Sequence, residues 1–267
     1  LHINDLPAVE VADLGDEESA LPVNQRHVAY GMNQESFRFL LDPMVETGAE
    51  KISAMGYGVS LNALNADEGG MSKFFSQRFA QVTNPPLDSI REVDGMTLRV
   101  AIGAKPNFSE SDSKQIVLDS PVIQRTQLEK IRRQSEVSHT TLDIFFTPSK
   151  DDAENERNLE GALNEVLDEV EKAAAAKTGI IILSDRKVSK VQAALPLLLV
   201  IAAANQRLIE TGMRFNSSLL VETGQSASAH DVATALGFGA SAICPLTVHH
   251  RAVLLMSSDV QKGLDNY

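Results

Sequence analysis

Tryptophan is absent, cysteine occurs once, and aromatic residues make up only 5% of the chain. A single thiol, Cys244, excludes an internal disulfide and any multi-cysteine metal or iron–sulfur site built from this chain alone. It ends the apolar run Ala242-Ile243 and precedes Pro245, a position that suits a small core residue. Positive charge is scarce as well: 24 Lys and Arg stand against 36 Asp and Glu, a net charge of −12, which argues against nucleic acid or an anionic membrane as partner. No hydrophobic run approaches the roughly 20 residues that cross a bilayer. The most apolar one, Ala193 to Ala204, contains Pro196. The start, Leu1-His2-Ile3-Asn4-Asp5, has neither the basic stretch nor the apolar stretch of a secretory leader, so a cytoplasmic protein is expected. Its first residue is not Met, which points to a chain cut from something larger or processed.

Catalytic signatures are missing too. There is no Gly-x-Ser-x-Gly elbow, no His-Glu-x-x-His zinc motif and no Gly-x-x-x-x-Gly-Lys phosphate loop. Gly56-x-Gly58 lacks the third glycine and the preceding strand of a nucleotide fingerprint, and is read as a turn, like the polar loop 65–70 after it. His249 and His250 are neighbours, and on a helix such side chains point about 100° apart, a poor arrangement for sharing a metal.

What is present is an α/β pattern, clearest in the second half. Leu142 to Phe146 reads as a strand. Leu159, Leu163, Val166, Leu167 and Val170 then recur at helical steps above an acidic outer face. Gly179 to Leu183 is a continuous apolar run, as in a parallel strand covered on both faces. A helix from about Ala194 to Glu210, a strand at Ser218 to Val221, a helix at Ala229 to Leu236 and a strand at Ala242 to Cys244 complete the alternation. The expected fold is a partial or irregular (β/α) barrel-like parallel sheet preceded by an N-terminal helical segment. Residues 1–22, acidic and proline-bearing, are expected to form a linker-like arm before one α/β domain over 23–267. Asn33 or Ser36 can cap a helix carrying Phe37, Leu40, Leu41 and Met44, with a break at Pro43 and a stop at Gly48. Thr97 to Gly103 is followed by a polar loop and then by Ile116 to Leu118. Arg125, Lys130, Arg132 and Arg133 are read as an exposed basic helix face.

Two places are candidate sites. Asp185 and Arg186 follow one strand and Glu222 ends the next, and strand carboxyl ends carry the chemistry of parallel α/β folds. The three could transfer protons or bind an anion, as in a free-standing α/β-barrel enzyme or small-molecule binder. They could equally form an ion-pair network closing the strand ends. The other place is residues 74–92, where Phe75, Phe79 and Val82 have helical spacing and Pro85 and Pro86 force a stiff extended corner before polar residues.

The run Arg78-Phe79-Ala80-Gln81-Val82-Thr83-Asn84-Pro85-Pro86-Leu87-Asp88 resembles the Phe-Ala-Gln-Val-Thr-Asn-Pro-Pro-Ile-Asp-Pro motif of the central domain of the glutamate synthase large subunit. Pro43 to Glu50, Ala54-Met55-Gly56, Ile116 to Val122, Ile182 to Arg186, Leu195 to Leu198, Val221 to Gly224 and Gly237 to Ala240 resemble further family motifs in the same order. Together they cover roughly 24–248. The resemblance implies a non-catalytic α/β domain between a glutamine amidotransferase domain and a flavin-binding synthase barrel, in an enzyme that makes glutamate from glutamine and 2-oxoglutarate. It implies no cofactor in this chain, with FMN and the iron–sulfur cluster in a neighbouring domain. Arg78, Gln81, Asn84, Pro85, Pro86 and Arg91 then become candidate domain-junction contacts. Three departures stand out: Tyr57-Gly58 where the family has an acidic or Asn-Asp pair, Ser89 where it often has Pro, and Gln225-Ser226-Ala227 where it has Glu-Ala-Arg.

Overall fold

The structure, a computed structural model, describes residues 1–11, 14, 21–49, 70–76, 82–106 and 114–267. Its centre is a parallel sheet in the order β3 (His139–Asp143), β5 (Ile180–Ser184), β7 (Ser218–Thr223) and β8 (Ala242–Pro245). The connections are α5 (Asp152–Ala175), α6 (Leu197–Glu210) and α7 (Ala229–Gly237). Sequence neighbours are thus sheet neighbours, the arrangement expected of repeated strand–helix units.

Every residue of β5, β7 and β8 is buried, because the sheet is covered on both faces. Alternation sorts their side chains. Ile181, Leu183, Leu219, Val221 and Ile243 meet the helical layer through Val170, Leu198, Ile201 and Ala235. Ile180, Ile182, Leu220, Ala242 and Cys244 face the other way. There they pack on Ile102 of β1 (Val100–Gly103), Ile116 and Leu118 of β2 (Gln115–Leu118), and Leu128 and Ile131 of α4 (Arg125–Arg133). Strands β1 and β2 form an antiparallel pair. Val122, just before α4, makes a parallel bridge to Ile243 of β8, so the chain entering α4 lies beside the far strand of the sheet. The sheet is therefore the partial, irregular α/β arrangement expected.

Several details depart from the sequence reading. The expected strand at Leu142 to Phe146 begins earlier and breaks at Ile144. The Ile144 amide donates to Ser184 and its carbonyl accepts from Leu195, which hands the chain from β3 to the short strand β4 (Phe145–Phe146) beside β6 (Ala193–Ala194). Helix α6 starts only after Pro196. The start of the acidic arm is packed rather than loose, with Ile3 fully buried, Leu6 and Val9 nearly so, and the Val117 amide donating to the Leu1 carbonyl.

The N-terminal helical segment comprises α1 (Val23–Ala29), a π-helical turn Ser36–Leu41 and α2 (Asp42–Thr47). Asn33 accepts from the Ser36 amide at 2.8 Å, so it is the residue that starts the turn. Pro43 has no N–H to give to the preceding turn, and the helix widens there instead of breaking. Gly48 stops α2 in the left-handed region at φ 70°. The π-helical turn and α2 pack with α8 (Leu246–Leu255) and α9 (Val260–Asn266) around Leu41, Val45, Val248 and Ala252.

The proline stretch is only partly as expected. Phe75 is extended (φ −103°, ψ 139°), so no helix passes through it, and a 3-10 turn, Met71–Phe74, ends just before. Its ring meets Phe238 edge-on at 4.7 Å. Arg78, Phe79 and Gln81 lie outside the described residues, as do Gly56, Tyr57 and Gly58. After Pro86 the chain enters a helix, α3 (Ser89–Gly95), because the Asp88 carboxylate caps it by accepting from the amides of Ile90 (3.1 Å) and Arg91 (3.0 Å).

Candidate functional site

Strands β5 and β7 are in register with Ser184 opposite Glu222, which brings the predicted strand-end residues together. Glu222 is 1% exposed. Arg132 grips it with both terminal guanidinium nitrogens, at 3.2 and 2.7 Å. Ser184 donates its hydroxyl at 2.6 Å, and an Arg186 nitrogen lies 3.6 Å away. Burial pushes the Glu222 carboxyl up, but hydrogen bonding and charge from Arg132, with Arg186 and Ser184, outweigh it and hold the group below the ordinary carboxylate value. Glu222 is a paired anion.

Asp185, fully buried, is served by a different set of donors. Its carboxylate accepts from the Thr223 hydroxyl, the Gly224 amide (2.8 Å) and the Gln225 side-chain amide (2.9 Å). Its backbone carbonyl accepts the Tyr30 hydroxyl at 2.9 Å. Burial dominates and raises its pKa to about 6, with the three hydrogen bonds opposing. The two acids therefore do not act as a pair. One is neutralised by guanidinium, while the other is held by neutral donors.

Gly224 shows how tightly this end is filled. A Cβ there would come within 2.2 Å of the Tyr30 ring. Gln225 makes three contacts that need both donor and acceptor. Its amide nitrogen donates to Asp185 and to the Leu195 carbonyl, and its oxygen accepts the Leu197 amide at 3.1 Å, the first amide of α6. A glutamate could supply only the last.

The basic patch is not the exposed face expected of it. Arg125 is buried, Arg132 is turned inward onto Glu222, and only Arg133 stays out in solvent. No local pattern marks Tyr30, Arg132, Thr223 or Gln225 as partners of these acids. Arg132 looked like a surface residue because it interrupts a helical pattern whose apolar members are Leu128 and Ile131.

Beyond Tyr30 lies a second polar cluster. His27, His249 and His250 are buried together, with ring centroids 5.8 Å apart for His27 and His250 and 6.4 Å for His249 and His250. Burial, then the neighbouring Arg125 and His250 charges, lower His249 to about 3. Burial, then Arg26 and Arg125, lower His250 to about 3, and burial, then His250 and Arg251, lower His27 to about 4. The three are neutral near pH 7. Among the described residues no group of three or more His, Cys, Asp or Glu is placed to hold a metal ion. Burial also pushes the Cys244 thiol up, so it carries no thiolate.

A half-open recess of about 350 Å³ lies between Tyr30, Ser72, Pro196, Gln225 and Asp231. Its polar groups are already engaged: Asp231 accepts from the Ala227 and Ser228 amides and from the Ser72 hydroxyl.

The ordered elements and the collinear motifs agree with the comparison to known proteins. The profile of the glutamate synthase central domain matches residues 25–266. The chain belongs to that family. This glutamate synthase central domain is 34% identical to the ferredoxin-dependent glutamate synthase of Cyanidium caldarium over 85% of its length. It is 31% identical to the glutamate synthase [NADPH] large chain of Azospirillum brasilense over its whole length, and 30% identical to that of Bacillus subtilis (strain 168) over 86%. The domain spans only 15%, 18% and 15% of those three relatives. Other domains of the same polypeptide are implied. No helix among the described residues is long and apolar enough to cross a membrane.

Proposed function

We propose that the chain is the structural central domain of a glutamate synthase large chain, with the α/β unit over 23–267 following an acidic arm over 1–22. In this reading it joins a glutamine amidotransferase domain to a flavin-binding synthase domain, within a cytoplasmic enzyme that makes glutamate from glutamine and 2-oxoglutarate. FMN and the iron–sulfur cluster belong to a neighbouring domain, and this chain supplies no cofactor ligand and no catalytic residue. The observation that carries the proposal is the state of the strand ends. Both acids that could do chemistry there are buried and committed, Glu222 to Arg132 and Ser184, Asp185 to Thr223, Gly224 and Gln225. A free-standing enzyme using Asp185, Arg186 and Glu222 would have to break these bonds before either acid met a substrate, at the cost of exposing unpaired buried charge.

The proline corner then has its role at the domain junction. Residues 82–99 are all exposed, which supports Asn84, Pro85, Pro86 and Arg91 as junction contacts, with Arg78 and Gln81 beside them in sequence. Peptide mapping of the intact polypeptide tests the proposal. Amidotransferase sequence is expected on one side of this segment and flavin-binding synthase sequence on the other. A polypeptide carrying neither would overturn it.

A further inference from the structure

Resting on that reading, we propose that the exposed apolar side chains of the segment Val82 to Leu98 form the surface on which another domain of the same polypeptide docks, and that docking fixes helix α3. Six large apolar side chains are exposed within 17 positions: Val82 (65%), Leu87 (38%), Ile90 (82%), Val93 (72%), Met96 (54%) and Leu98 (67%). Ile90 and Val93 are three residues apart on one face of α3, and no residue of that helix is buried. A seven-residue helix is marginal on its own in water, and an Asp88 cap adds only about 1 kcal/mol, so this one needs a covering surface. A soluble domain seldom leaves such a group of side chains open unless something covers it.

The occupant follows from length and charge. The chain spans about 15–18% of the relatives named above, so most of such a polypeptide lies outside it and must pack somewhere. A second copy of this chain is disfavoured, because each carries a net charge of −12. Within residues 82–99 the balance is milder, with Asp88, Glu92 and Asp94 against Arg91 and Arg99. The partner surface is therefore apolar at its centre with mixed charge at its rim, as between domains of one chain.

Amide hydrogen exchange on the intact polypeptide tests the inference. The peptide covering 87–98 is expected to exchange about 100-fold or more slowly than an unstructured peptide. The variant Ile90→Asp is expected to return it to near-coil rates, with the exchange of β5 and β7 unchanged. Near-coil rates in the unmodified polypeptide would overturn the inference. So would protection that appears only as concentration and particle mass rise together, since a second copy would then be the occupant. The mass of the polypeptide separates the two levels. A chain with no further domains defeats the functional reading, whereas a multidomain chain with an unprotected α3 defeats only this inference.

Discussion

Arg132→Met removes the main partner of a carboxylate that is 1% exposed while keeping the length and much of the packing of the side chain. Breaking a buried pair from one side costs about 3–5 kcal/mol. The loss should fall near the lower end, about 3 kcal/mol, because Ser184 at 2.6 Å and Arg186 at 3.6 Å still serve Glu222. For a chain of this size that is a drop of about 6–12 °C in Tm. Glu222→Gln should cost less, because Arg132 is 18% exposed and can turn to water. The double variant Arg132→Met, Glu222→Gln should be more stable than Arg132→Met alone, giving a coupling of about 1–3 kcal/mol. The sign of the pH dependence is fixed as well. Glu222 is held low in the parent; without Arg132, burial dominates and its pKa rises, so the gap between variant and parent should shrink as pH falls from 8 towards 5. Urea unfolding followed by circular dichroism, repeated across pH, reads all of this. A loss under about 0.5 kcal/mol, or zero coupling, would refute the closed-network account.

Gly224→Ala sets a methyl against the Tyr30 ring and should cost about 1–3 kcal/mol by overpacking, with loss of the Tyr30 hydrogen bond seen as a changed tyrosine absorbance; a neutral effect on unfolding would contradict the packing described. Acid should destabilise the chain. His27, His249 and His250 stay neutral when folded, with pKa values of about 4, 3 and 3, but take protons near pH 6.5 once unfolded. Stability is thus intact above pH 6.5 and falls as pH drops towards 4. Asp185, raised to about 6, works against this between about pH 4 and 6, yet one such group is outweighed by three histidines. A melting temperature that rises from pH 7 to pH 5 would refute the assignment. Replacing Pro85 and Pro86 with alanine should loosen domain coupling in the intact polypeptide, speeding limited proteolysis near residue 85 several-fold, while the chemical step stays unchanged; equal cleavage rates would count against the junction role.

The sequence made the sheet readable because β5, β7 and β8 are short apolar runs bounded by turns, and the strand-end rule alone placed Asp185 and Glu222 side by side. The partners of those acids were not readable. Arg132 is 90 positions from Glu222 and Tyr30 is 155 from Asp185, and neither spacing leaves a periodic trace. Local propensity failed differently at Phe75, where helical spacing suggested a helix but packing against Phe238, a partner far along the chain, goes with an extended backbone. At Asp88 the cap signal is present in the sequence, since Asp before Ser-Ile-Arg is an N-cap pattern, and it lies directly behind the proline corner. The widened turn before Pro43 shows the same competition: apolar periodicity kept the helix going where proline alone predicted a break.

The most direct test of the scaffold account is to purify the chain alone and supply glutamine, 2-oxoglutarate and a reductant, recording the flavin spectrum and the glutamate formed. The account predicts a colourless protein that forms no glutamate from either substrate. A stoichiometric yellow cofactor, or glutamate released from glutamine at a rate that falls when Asp185 or Glu222 is neutralised, would contradict it.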